Sequence, residues 1–287
     1  MKPRYIQDSF TRNFHFPPVQ DDDCADLADV SLETLELRVS RSTKNIERLP
    51  EFGKLERLRV SSMKTDITKH ISCISTLKIL SLGYCRTGYT DLSPLSKLSN
   101  LKCLILCELR QPDSIEFLRG MRSLIGLEID NLRKVRDLTP IASLHKTLRE
   151  LKIETGGPLS GTLAMKSLLP LSSLEKLEYL WLYVLAEDRS LEPLAELQSL
   201  RELSINAYFR WEEYAKLDAR LPKTHCCWFK KKIINWEIEC TKCGTESKVG
   251  IPGKGKRMVC SKCDPAKVDD LIACYDEQYN FSRNGNW

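Results

Sequence analysis

No apolar run in the chain approaches the roughly 18 residues that would cross a bilayer. Residues 1–10 hold no apolar core of the kind a secretory signal needs. A helical membrane span is thereby excluded, and a cytoplasmic protein without membrane attachment is expected. Histidine is scarce: His15, His70, His145 and His225 lie scattered, none in a motif pairing it with a nucleophile and an acid. No catalytic constellation emerges, so a non-enzymatic role is expected. Neither sign of charge dominates. The 44 Lys and Arg against 39 Asp and Glu give +5 over 287 residues, which neither demands nor excludes nucleic acid.

Cysteine is not scarce. Twelve are present, yet their positions argue against a secreted disulfide scaffold. Cys73, Cys85, Cys103 and Cys107 fall inside a leucine-rich pattern, where Cys acts as a small hydrophobe. Cys240, Cys243, Cys260 and Cys263 form two C-x-x-C pairs with sixteen residues between them, a spacing for metal ligands in a reducing compartment.

The pattern itself is L-x-x-L-x-L. It recurs as Leu32/Leu35/Leu37, Leu55/Leu58/Val60, Leu77/Leu80/Leu82, Leu101/Leu104/Leu106 and Leu124/Leu127/Ile129. Leu148/Leu151/Ile153, Leu177/Leu180/Leu182 and Leu200/Leu203/Ile205 complete the series. Seven steps separate these copies, six of 22 to 24 residues and one of 29. The last two apolar positions alternate, as a strand with one buried face requires. One such unit cannot bury its own apolar face, so units must stack. Between strands, Leu92/Pro94/Leu95/Leu98, Leu138/Pro140/Ile141/Leu144 and Leu191/Pro193/Leu194/Leu197 suit single helical or 3₁₀ turns.

In these residues the chain, over about residues 32–206, resembles the leucine-rich repeat proteins, with irregular repeats of a bacterial type. The resemblance implies an α/β solenoid: a curved parallel sheet on the concave side and short turns on the convex side. It also implies a recognition module for other proteins. One departure stands out. Many members place Asn three residues after the last strand Leu, where it bonds to loop backbone. Those positions here are Ser40, Met63, Cys85, Leu109, Leu132, Gly156, Leu185 and Tyr208. The corners must satisfy their backbone differently.

Residues flanking the inward Leu point to the concave face. At about 4.8 Å per strand, eight strands span roughly 34 Å. The face reads basic at first (Arg38, Arg57, Arg59), then small and apolar (Ile79, Cys103, Ile105, Cys107), then acidic (Glu128, Asp130, Glu150, Glu154). It ends on Tyr179, Trp181 and Tyr183, exposed rings of the type enriched at binding hot spots. The candidate partner-binding residues are therefore Tyr179, Trp181, Tyr183, Glu128, Asp130, Glu150, Glu154, Arg57 and Arg59. A basic protein with an apolar anchor fits them. A register off by one would instead turn the rings into the core.

Three segments are expected: residues 1–30 as an N-terminal cap, 31–229 as the solenoid, and 230–287 as a small metal-binding module. The solenoid would end in a closing helix within residues 209–217 and an edge strand within 225–229. The Gly- and Pro-rich residues 155–161 read as a loop inserted beside the aromatic strand. The four thiolates of Cys240, Cys243, Cys260 and Cys263 complete one tetrahedral zinc site, with no open position for water. His225, Cys226, Cys227 and Cys274 are weaker ligand candidates. Residues 246–259 suggest a hairpin, and a helix after Cys263 would bury Val268, Leu271, Ile272 and Tyr275. Knuckle, hairpin and helix in that order resemble a zinc ribbon or treble clef. Residues 250–257 match a phosphate-binding P-loop except at Arg257, which stands where Ser or Thr would hold magnesium, so ATP binding is not expected. Lys230–Lys232, Lys254, Lys256 and Arg257 make nucleic acid an alternative partner. The protein is expected to be monomeric by itself.

Overall fold

The computed structural model describes residues 23–85, 89–155, 164–229 and 232–285. The Gly-rich segment 156–161, most of the N-terminal segment, Lys230 and Lys231 lie outside them. One strand appears per repeat: β1 (Glu36–Ser40), β2 (Arg57–Ser61), β3 (Ile79–Gly83), β4 (Cys103–Cys107), β5 (Gly126–Asp130), β6 (Glu150–Glu154), β7 (Tyr179–Tyr183) and β8 (Glu202–Ile205). The two-residue β9 (His225–Cys226) forms the last edge. All nine lie parallel and in sequence order. This is a leucine-rich repeat solenoid.

The alternation of apolar residues sets the register. Leu58, Leu80, Leu104, Leu127, Leu151, Leu180 and Leu203 form one inward column, and none is more than 1% exposed. Val60, Leu82, Leu106, Ile129, Ile153, Leu182 and Ile205 form the next. Burying each such side chain contributes about 1.5–3 kcal/mol. The first repeat corrects the sequence reading. Leu37 pairs with Leu58 and Val39 with Val60, so the inward pair is Leu37/Val39 rather than Leu35/Leu37. Leu32 and Leu35 are 43% and 55% exposed. Leu35 belongs to the turn before β1, where its carbonyl accepts from the amides of Glu56 and Arg57.

The missing Asn positions are replaced by a backbone device. Ser62, Tyr84, Glu108 and Asn131 each follow a strand directly and take a left-handed conformation. Their amides donate to Gly83, Cys107, Asp130 and Glu154 on the next strand, at 2.6–3.0 Å. The ladder therefore runs one residue past the strands before the chain turns outward. On the convex side, the 3₁₀ turns bury at least one apolar residue each, such as Leu95, Leu118, Ile141, Leu171 and Leu194. Pro94, Pro140, Pro170 and Pro193 open four of these turns, where no amide partner is needed. Asp91 and Asp137 accept from the amides of Ser93 and Thr139 at 2.8 Å, fixing the entry into their turns.

The closing helix runs Trp211–Arg220, and the C-terminal helix Pro265–Arg283. Between them β10 (Ile234–Asn235), β11 (Lys248–Gly250) and β12 (Val259–Cys260) form a small antiparallel sheet. A second core joins the two helices: Trp211, Ala215, Ile251, Leu271 and Tyr275 pack together. Of the four apolar residues expected to be buried on the C-terminal helix, Leu271 and Tyr275 are, while Val268 and Ile272 remain half-exposed. The buried Tyr275 hydroxyl meets Asp218 at 3.1 Å. Lys254 donates its amide to Phe209 and its carbonyl accepts from Trp211, at 2.8 and 2.9 Å. Gly253, with φ of +90°, passes so close that a Cβ would stand 2.7 Å from the Tyr214 ring. The C-terminal unit is thus bolted onto the end of the solenoid.

Candidate partner-binding face and metal centre

Strands β5, β6 and β7 place the acidic and aromatic residues side by side. Glu128, Lys152 and Trp181 occupy one row across the sheet, and Asp130, Glu154 and Tyr183 the next. Lys152 reaches Glu128 at 2.6 Å and Glu154 at 3.9 Å. Its ammonium stands 5.8 Å from the centre of the Trp181 ring. One lysine thus faces Glu128, Asp130 and Glu154, leaving the patch negative. Asp130 sits in this field half-covered. Burial raises its carboxyl above the ordinary range; Lys152 counteracts, and Glu154 and Glu108 push the same way as burial. Beside it, burial and Asp130 push the Cys107 thiol up to about 12, so it stays protonated.

The aromatic strand departs from expectation in one respect. Leu180 and Leu182 point inward as required, and Trp181 projects on the concave side, but it is only 8% exposed. It stacks on Tyr183 at 5.0 Å between ring centres, and Lys152 covers its other flank. Its buried Nε1 has no hydrogen-bond partner among the described residues. Tyr179 and Tyr183 are half-exposed, and Glu150 is buried at 5%. A concave sheet crowds neighbouring side chains together, which a strand pattern read one strand at a time does not reveal. Lys152 falls on this face by its strand position, between Glu150 and Glu154, yet is absent from the candidate binding residues. At the other end Arg57 pairs with Glu36, and Arg38 lies 3.9 Å from Asp23. The basic and acidic candidates are therefore separate patches, two strands (β3 and β4) apart.

The four cysteines do come together. Their Sγ atoms all lie within 4.8 Å of one another, with Cys240–Cys263 at 4.0 Å and Cys243–Cys260 at 3.7 Å. A tetrahedral zinc with bonds of about 2.3 Å would set sulfurs about 3.8 Å apart. Each pair sits on a tight knuckle: Gly244 donates to the Cys240 carbonyl at 2.8 Å, and Asp264 to that of Cys260 at 3.0 Å. Gly244 takes φ of +64°, which a Cβ would oppose. The Thr245 and Ser247 hydroxyls lie 3.1 and 3.7 Å from Cys243 Sγ and lower that thiol to about 6. Ser247 also lowers Cys260, at 3.0 Å. Crowding by Cys260 and Cys243 raises Cys263 to about 12. Four sulfurs gathered at nearly tetrahedral spacing fit a bound cation. His225, Cys226, Cys227 and Cys274 are outside the cluster. No helix of the described residues is long and apolar enough to cross a membrane.

No protein-family model matches the sequence, and no curated protein is similar to it. Solved structures are similar in fold. A leucine-rich repeat protein of Leptospira interrogans superposes with a TM-score of 0.50 at 17% identity, over 68% of this chain and 48% of that one. An internalin, InlF of Listeria monocytogenes, gives 0.43 at 17% identity, over 67% of this chain and 66% of that one. A plant peptide hormone receptor, RGFR1 in complex with RGF2, gives 0.49 at 15% identity, over 74% and 38%. The chain thus spans less than two thirds of each of these neighbours. At these identities the likeness establishes the repeat fold and nothing finer.

Proposed function

We propose that the chain is a non-enzymatic recognition scaffold that holds a protein partner against its concave face. The observation that carries this reading is the patch on β5–β7, where the carboxylates of Glu128, Asp130 and Glu154 face one lysine beside the stacked Trp181 and Tyr183. Coulomb attraction across such a half-buried patch is weakly screened, so a partner presenting Lys or Arg with an apolar anchor suits it. Tyr179 and Tyr183 offer the accessible ring surface, and Arg57 and Arg59 a separate site for an acidic part of the same partner.

We further infer one structural zinc ion on Cys240, Cys243, Cys260 and Cys263. Residues 230–287 then serve as a metal-stabilised lid on the solenoid of residues 31–229. Nucleic acid has weaker support. Lys254 and Lys256 lie over the rings of Tyr208 and Trp211, at 5.5 and 5.4 Å, and Lys232 is paired with Asp276.

Affinity capture tests the concave face, with wild type beside Trp181→Ala/Tyr183→Ala and beside Glu128→Gln/Glu154→Gln. Loss of the same partner from both variants is expected, and an unchanged partner set rejects the face. The Gln pair removes charge without opening a cavity, so it decides the matter should the aromatic variant misfold.

A further inference from the structure

Where the C-terminal unit meets the solenoid, the described residues line a cleft of about 650 Å³ that includes none of the concave-face candidates. That volume is in the range of small-molecule sites, which favour junctions of this kind. Its walls combine an apolar part, including Leu185, Ala186 and Phe209, with the Tyr208 ring and the cations Arg189, Arg210 and Lys254. The lining carries one carboxylate, Glu187, and Arg136 already neutralises it. Arg210 is held by Glu212. Among the described residues, Arg189 and Lys254 enter no ion pair. Two cations therefore line this space without an ion-pair partner, Lys254 resting over the Tyr208 ring at 5.5 Å.

Both stand on fixed backbone. Lys254 is clamped by its two-way exchange with Phe209 and Trp211. Gly255, at φ of +104°, lets the loop lie against Trp211 and Arg210. Arg189 occupies a left-handed turn, and its amide donates to Ala186 at 3.2 Å. A left-handed non-glycine residue costs of order 1–3 kcal/mol, and such residues cluster at ligand sites.

The geometry points to a binding site for a small molecule that carries a phosphate group on a flat apolar body. The phosphate, with a charge of about −1.5 to −2, matches Arg189 and Lys254, and the flat body takes the place beside Leu185 and the Tyr208 ring, both half-exposed, over which the Lys254 ammonium now rests. The site is independent of the concave face and needs no magnesium-binding hydroxyl, so Arg257 is no obstacle.

Phenyl phosphate, inorganic phosphate and phenol are the probes, titrated calorimetrically into the full chain. Phenyl phosphate should bind saturably and more tightly than inorganic phosphate, with no saturation by phenol. Arg189→Gln and Lys254→Ala should each weaken it about tenfold, and Lys64→Ala, at an exposed cation between β2 and β3, should leave it unchanged. Phenyl phosphate that fails to saturate, or that binds both cation variants as well as wild type, overturns the site. Arg189 lies on an exposed turn, so Arg189→Gln alone decides the outcome should Lys254→Ala fail to fold.

Discussion

Asp130 ties the stability of the molecule to its proposed use. Burial raises its carboxyl above the ordinary 3.8, so the folded state holds this proton more tightly than the unfolded chain does. Its contribution is fully present below about pH 3.9 and is lost as pH rises through the raised folded value. At neutral pH the ionised Asp130 therefore opposes folding. Asp130→Asn should melt at a higher temperature than wild type at pH 7, and the difference should vanish near pH 3. If the acidic patch is the docking surface, the same substitution should weaken partner capture. A residue kept charged against its own burial is the pattern expected of a binding site.

The convex turns stack with little clearance. A Cβ on Gly120 would stand 2.7 Å from the Ser96 carbonyl oxygen and 2.9 Å from its Cβ. The obstacle is backbone of the preceding turn, so the two turns must separate. Gly120→Ala should cost about 1–3 kcal/mol, read as a lower denaturant midpoint at unchanged slope. Elements of this kind were legible in part. Spacing revealed every repeat strand, because a period of two inside a period near 23 has one physical solution. It misplaced the phase of β1, because Leu32, Leu35 and Leu37 satisfy the spacing as well as Thr34, Leu37 and Val39 do. Only a neighbouring strand distinguishes the two. The left-handed corners were also invisible: Ser62, Tyr84, Glu108 and Asn131 share a conformation but no side-chain chemistry. Tyr183 shares the face of Trp181 by strand alternation, but Lys152, which completes its burial, comes from the neighbouring strand, a position that sequence order alone does not bring beside it. The four cysteines were legible outright, since two C-x-x-C knuckles each carry their own geometry.

Across the whole molecule, the C-terminal unit and the solenoid share a core, so the proposed zinc should hold more than its own loop. A chelator should speed hydrogen exchange in β9, β8 and the closing helix while β1 to β4 keep their protection. Uniform loosening, or none, would detach the metal from this role. A solenoid transmits order only between neighbours, and an effect graded from one end is its natural response.

The unbroken register of β1 to β8 has a consequence for what can lie across it. Its rows repeat about every 4.8 Å, whereas an extended peptide offers one same-side residue about every 6.7 Å. The two rulers drift out of step within a couple of strands. A monotonous ligand would thus find no matching sequence of grips, and the patchwork of chemistry along this wall suits a visitor whose own contours are equally uneven.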